Sequence, residues 1–219
     1  CLLPHGIVDY NPKKNFLQSI NKFLLNEIYS VATYGFCLPN KGFKELIKAI
    51  YLLNNRGIRV RLNLYSAIYS EEYNWCADEL HNLVTKYNLG DYVVIHNEYM
   101  QDNETLHRLA RHDCLVFPYQ SSNESSSAAV RNGLASLVPV LVTPHPIFDD
   151  IAKLVHKLPG FTPEDIADGI QEMYYKKKEY VYKSLSSNDQ QQKINSIYNM
   201  QFSKISYRFH NIIKSLEIN

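Results

Sequence analysis

The sequence predicts an α/β fold: a three-layer domain on a mostly parallel sheet, with helices alone at its C-terminal end. Three observations predict it. Short apolar runs alternate with amphipathic stretches from about residue 30 onward, the order of a parallel sheet with right-handed crossovers. Most of the runs are short and apolar, as strands covered on both faces should be. After residue 160 only helical periodicity remains.

The elements follow in order. "IYSVATYGF", 28–36, reads as a buried strand. "GFKELIKAIYLLNNRG", 42–57, reads as an amphipathic helix with Leu46, Ile50 and Leu53 on one side and Gly57 as its stop. "IRVRLNLY", 58–65, alternates as a strand does. "SEEYNWCADELHNLVTKYNLG", 70–90, is a helix with acids in its first turn and Gly90 past its end. "YVVIHN" is a short strand, "DNETLHRLARHD" a helix whose cap stays open between Asp102 and Asn103, and "CLVFPY" a strand. "PYQSSNESSSAAV" leads into the next helix, where Val130, Leu134 and Leu137 make the apolar stripe, and "PVLVT" is the next strand. Helices are predicted over 162–185 and 191–216, with the polar loop "SLSSNDQQQ" between them. The chain is expected to be one domain, 1–219, with a core to about residue 185 and terminal helices over about 188–219.

Composition narrows the function. Hydrophobic content is 45% and charged content 21%, ordinary for a globular domain. The formal net charge of +1 gives no long-range field for nucleic acid. The 4 cysteines, Cys1, Cys37, Cys76 and Cys114, are far apart in sequence and suggest a reducing, cytoplasmic setting, with Cys37 and Cys114 as packed thiols. No apolar run reaches membrane-spanning length. The start, "CLLPHGIVDY", already has the character of a domain interior, so a piece of a longer chain is expected.

Ligands of open parallel sheets bind beyond the carboxyl ends of the strands, and three segments fall there. "GFCLPNKGF" sets Lys41 between Gly35 and Gly42, just before a helix. A lysine at a helix N-terminus suits phosphate; a solvated lysine in a tight loop is the plainer alternative. In "PYQSSNESSSAAV", Ser121 and Glu124 match a capping box. That leaves Ser125, Ser126 and Ser127 unexplained, since serine is a mediocre helix former. Small residues there let a ligand approach the backbone N–H groups. Arg131 lies seven positions past Glu124, two turns along nearly the same face; an exposed helical arginine is otherwise simply solvated. The third segment, "LLPHGIVDY", places His5 and Gly6 in a Pro-His-Gly turn. In "TPHPIFDDI", Asp149 and Asp150 read as a helix start rather than a metal pair. No Asp-x-Asp, zinc spacing or nucleophile elbow occurs, so no metal is expected.

"PHG", "GF-x4-KGF" and "PY-x4-ESSSAAVRNGLASLVPVLVTP…IFDD" come in one order, and together they resemble the donor half of a retaining glycosyltransferase of the glycosyltransferase-B fold, in the large family four. The resemblance runs from about Leu3 to Tyr175. It implies a Rossmann-like domain that binds a nucleotide sugar, GDP- or UDP-linked, and a missing N-terminal domain that binds the acceptor and makes any peripheral membrane contact. The terminal helices, with Tyr207, Phe209, Ile212 and Ile213, would pack against that domain. By the same resemblance Lys41 contacts the donor diphosphate. Phe36 stands where many relatives carry an arginine that shares this task, and Arg131 compensates in part. Glu124 matches the first glutamate of the family's pair, close to the donor sugar. The second, which holds the ribose, falls at Asn132, which donates and accepts without charge. Ser125, Ser126 and Ser127 offer backbone amides to sugar and phosphate, and Tyr99 and Met100 lie where relatives hold the base. His5, Gly6, Gly35 and Gly42 line the donor. The implied reaction is metal-independent retaining transfer in glycan or lipid-linked glycan assembly, with the 219 residues alone inactive. A donor domain that binds a ligand or a protein without turnover, and one half of a nucleotide-sugar epimerase, are the alternatives.

Overall fold

The structure, a computed structural model, describes residues 6–7, 28–183, 199–201, 203–207 and 214. Six strands form one sheet in the order β3-β2-β1-β4-β5-β6, all pairs parallel. They are β1 (Tyr29–Phe36), β2 (Val60–Ala67), β3 (Val93–His96), β4 (Cys114–Phe117), β5 (Val140–Val142) and β6 (His156–Lys157). Between and after them run α1 (Phe43–Asn55), α2 (Asn74–Lys86), α3 (Asp102–Leu109), α4 (Ala128–Ala135) and α5 (Pro163–Lys183). Single 3₁₀ turns occupy Pro39–Lys41, Glu71–Tyr73 and Pro146–Ile151.

The period-two geometry of the strands divides the interior into two cores. Val31, Leu62, Leu64, Cys114, Val116 and Leu141 face a layer of α1, α2 and α5, where Leu46, Ile50, Leu53, Leu80 and Ile166 meet them. Ala32, Leu115, Phe117, Val140 and Val142 face the other layer, against Leu106 and Leu109 of α3 and Val130 and Leu134 of α4. Both faces of the central strands are thus covered, which is why their sequences read as unbroken apolar runs. No described helix is long and apolar enough to cross a membrane.

Several expectations are corrected. The helix after β4 starts only at Ala128, and its cap is Ser127, whose Oγ accepts from the Val130 N–H at 3.3 Å. Ser121 and Glu124 therefore lie in the preceding loop and form no capping box. Past α2 the left-handed residue is Asn88, at φ 51°, not Gly90. β6 has no counterpart in the sequence reading, because two exposed polar residues carry no alternation. Cys37 and Cys76 are distant in sequence, yet both are buried in the same core; burial first, then the neighbouring Cys76, pushes the Cys37 thiol up to about 12. Of the expected terminal helices, α5 is present and residues 203–207 are helical. Tyr207 is exposed, and Phe209, Ile212 and Ile213 lie outside the described residues.

Candidate functional site

Strand order reverses between β1 and β4: the chain builds β1, β2 and β3 to one side, then returns to place β4 on the other. A crevice opens at such a switch point, beyond the carboxyl ends of the two strands. Its walls here are the loop from Cys37 to Gly42 and the loop from Pro118 to Ser127.

Backbone and side chain stitch the two loops together. The Gln120 N–H donates to the Asn40 carbonyl at 2.9 Å, and Asn40 Nδ2 donates to the Ser121 carbonyl at 3.0 Å. Gln120 Nε2 donates to the carbonyls of Pro118, at 3.0 Å, and Phe161, at 3.1 Å. Gly42 makes the approach feasible. Its φ is 72°, and a Cβ there would sit 1.8 Å from the Pro118 carbonyl oxygen. Gly35 carries φ 149°, a conformation that side chains disfavour.

Lys41 closes this junction. It is only 6% exposed, and its Nζ lies 4.1 Å from the centroid of the Tyr119 ring, a cation–π position. Glu124 Oε1 stands 3.7 Å from the same nitrogen, on a side chain 55% exposed. That distance is an ion pair and exceeds hydrogen-bond reach. Among the described residues the ammonium makes no hydrogen bond, although it carries three donors. Tyr119 is held in turn by Ser127 Oγ, 2.8 Å from its hydroxyl, and its carbonyl accepts from Thr143 Oγ1 at 2.7 Å.

Two helix N-termini face the same crevice. Gly42 is the N-cap residue of α1 and gives it no side-chain cap, so the helix's first N–H groups keep their hydrogen-bonding capacity. In the other loop, the N–H groups of Ser125, Ser126, Ala128 and Ala129 find no acceptor among the described residues. Ser125 is exposed and Ser126 half-buried, while Ser127 is buried with its hydroxyl engaged by the cap and Tyr119. The sequence reading missed Tyr119, Gln120 and Asn40. Only their placement beside "KGF" and "ESSS" marked them, and their packing role depends on the two loops meeting.

Not every expected residue joins the crevice. Arg131 is 1% exposed; its Nη1 donates to the Ser127 carbonyl at 3.3 Å and its Nη2 pairs with Asp150. It ties α4 to the Pro146–Ile151 turn and cannot replace an arginine at position 36. Asp149 pairs with Lys157 at 2.9 Å. Met100 is buried in the core on the α3 side of the sheet. Tyr99 is 70% exposed and, with Gln101, Asp102 and Asn103, borders an open cleft of about 410 Å³. Asn132 lies on α4, half-buried. Burial pushes the Tyr34 hydroxyl up, and Thr105 and Asn132 pull it the other way. Phe36 is exposed and meets Tyr69, with ring centroids 5.1 Å apart. Gly6 is buried beside Ile7, whose N–H donates to the Met200 carbonyl at 2.8 Å. His5 lies outside the described residues.

A six-stranded parallel sheet with helices on both faces and loops gathered at the β1/β4 switch is the architecture of one half of a glycosyltransferase-B fold. Solved structures bear this out. A glycosyltransferase from Rickettsia africae superposes with a TM-score of 0.74 at 13% identity, over 100% of this chain and 57% of that one. The Anabaena protein HepE, solved with UDP and glucose, matches with a TM-score of 0.70 at 14% identity, over 90% of this chain and 52% of that one. The C-terminal domain of a glycosyl transferase group 1 family protein from Francisella tularensis matches at 0.64 and 15% identity, over 90% of this chain and 97% of that domain. The chain thus spans about half the length of the two larger proteins and has the fold of a C-terminal glycosyltransferase-B domain. No protein-family model matches it, and no curated protein matches it in sequence.

Proposed function

We propose that the β1/β4 crevice binds a nucleotide sugar and serves retaining transfer of that sugar to a glycan or lipid-linked acceptor, as in family-four enzymes of polysaccharide assembly. One observation carries the reading: Lys41 is nearly buried at the switch point, and its ammonium has donors left over. Such a cation is costly to hold without an anionic partner, and the exposed Glu124 supplies one only at ion-pair distance. A diphosphate would complete the set. Its oxygens would take the Lys41 ammonium and the amides at the starts of α1 and α4. As the glycosidic bond breaks, negative charge grows on the leaving diphosphate, and these preorganised donors would stabilise it. In this reading a metal ion is not called upon. Glu124, on the opposite wall, would orient the sugar, and Tyr99 would flank the base. The Anabaena protein that shares the fold was solved with UDP and glucose, which supports a nucleotide ligand.

A second reading has a specific observation behind it: Phe36 brings no charge to the phosphate site, and its ring meets Tyr69 instead. It is a domain of this fold that binds without turnover. Calorimetric titration with UDP, GDP and their hexose conjugates tests both. Saturable binding should weaken roughly tenfold or more in Lys41→Ala, the loss expected for a charge-assisted contact. Glu124→Ala should weaken the sugar conjugate more than the bare nucleotide. Silence toward every nucleotide, or indifference to both substitutions, sinks the proposal. Tight binding with no transfer by a chain that includes an acceptor domain favours the second reading.

A further inference from the structure

Phe36 ends β1, and Tyr69 follows the end of the neighbouring strand β2. Their rings form an edge-to-face pair at 5.1 Å and 77°, and Tyr73 extends the row from Tyr69 at 6.2 Å and 71°. The backbone beneath is fixed. The Cys37 N–H donates to the Ala67 carbonyl at 2.8 Å, and the Tyr73 N–H to the Ser70 carbonyl at 2.9 Å. Yet Phe36 is 39% exposed and Tyr69 62%. Core formation does not account for rings left in water, and a contiguous apolar patch marks a contact site.

Charge says what kind of ligand this patch favours. Glu71 and Glu72 stand exposed in the turn that carries Tyr73. Across residues 66–80 there are 4 acids and no Lys or Arg; Glu79 is paired with Lys44 of α1, and Glu71, Glu72 and Asp78 keep the patch acidic. A phosphate, a nucleotide or an anionic lipid headgroup would be repelled there. A saccharide fits: the C–H face of a pyranose lies on an aromatic ring, and its hydroxyls donate to carboxylates, which only accept. The place fits too, because Phe36 opens the loop that ends at Lys41.

We propose that Phe36, Tyr69 and Tyr73, with Glu71 and Glu72, form a saccharide subsite for a neutral or amino-sugar ring. Its service as the acceptor subsite rests on the donor reading above; saccharide binding itself does not. The test uses Trp75, the only tryptophan, which is 51% exposed and two residues past Tyr73. The 219-residue chain is titrated with cellobiose and with N,N′-diacetylchitobiose while Trp75 fluorescence is read, and with UDP in parallel by calorimetry. At least one disaccharide should give a saturable change. Tyr69→Ala and Phe36→Arg should each weaken it roughly tenfold, as loss of an aromatic anchor does, with unfolding midpoints close to the parent's. Lys41→Ala should lose UDP and keep the disaccharide. If the disaccharide binds and UDP does not, the donor reading falls and the subsite stands. No response to either disaccharide overturns the subsite, as does a response undiminished in Tyr69→Ala. Loss of UDP binding in Tyr69→Ala without any saccharide response also overturns it, and makes the rings a base platform. A dimer that Tyr69→Ala dissociates overturns it in favour of a second copy.

Discussion

Lys41 and Arg131 are both cations withdrawn from water, and their partners separate them. Arg131 is satisfied from within, by Asp150 and the Ser127 carbonyl. Asp150→Ala should therefore cost about 1–3 kcal/mol in urea unfolding, because it leaves a buried guanidinium short of a partner. Lys41 is not satisfied in this way. Lys41→Met keeps the apolar stem and removes the buried charge, a change that is often neutral or stabilising. It should leave the urea midpoint unchanged or raised while nucleotide binding falls. Cys37 adds a chemical check. Burial first, and then Cys76, push its pKa up to about 12, so at pH 8 the thiolate, the form that reacts, is scarce. Iodoacetamide should label Cys37 in the native chain far more slowly than in urea, and equal rates would contradict this packing.

Among the elements, the two loop-to-helix junctions matter most. Gly42→Ala would drive a Cβ into the Pro118 carbonyl and impose a strained φ. Thermal unfolding should show a loss of about 1–3 kcal/mol or more, and the crevice should lose its nucleotide with it. Ser127→Ala removes the cap of α4, worth about 1 kcal/mol, and releases the hydroxyl of Tyr119, over whose ring Lys41 is seated. These junctions also show what could be read ahead of the structure. Five strands and most helices were legible, because apolar runs and amphipathic stretches are local signals. The start of α4 was not, because Ser121, Ser122, Asn123 and Ser127 can all cap a helix, and the choice falls to Ser127 through its contact with Tyr119. Arg131 was misread because its burial depends on Asp150, which arrives on a different element. β6 was illegible since two residues have no period.

For the whole molecule, the sheet order decides where chemistry can occur. Lys41 and Glu124 are far apart in sequence, but parallel pairing of β1 with β4 sets their loops side by side, and the ion-pair distance of 3.7 Å follows. Topology also places the aromatic row of Phe36 and Tyr69 at adjacent strand ends, through the pairing of Phe36 with Ala67. The central claim is that the switch-point crevice is a diphosphate site. A crystal structure of the chain grown with saturating UDP or GDP tests it most directly. The account predicts diphosphate oxygens within hydrogen-bond distance of Lys41 Nζ and of the backbone N–H groups at the starts of α1 and α4. A nucleotide seated elsewhere, or a crevice left empty at saturation, would contradict it.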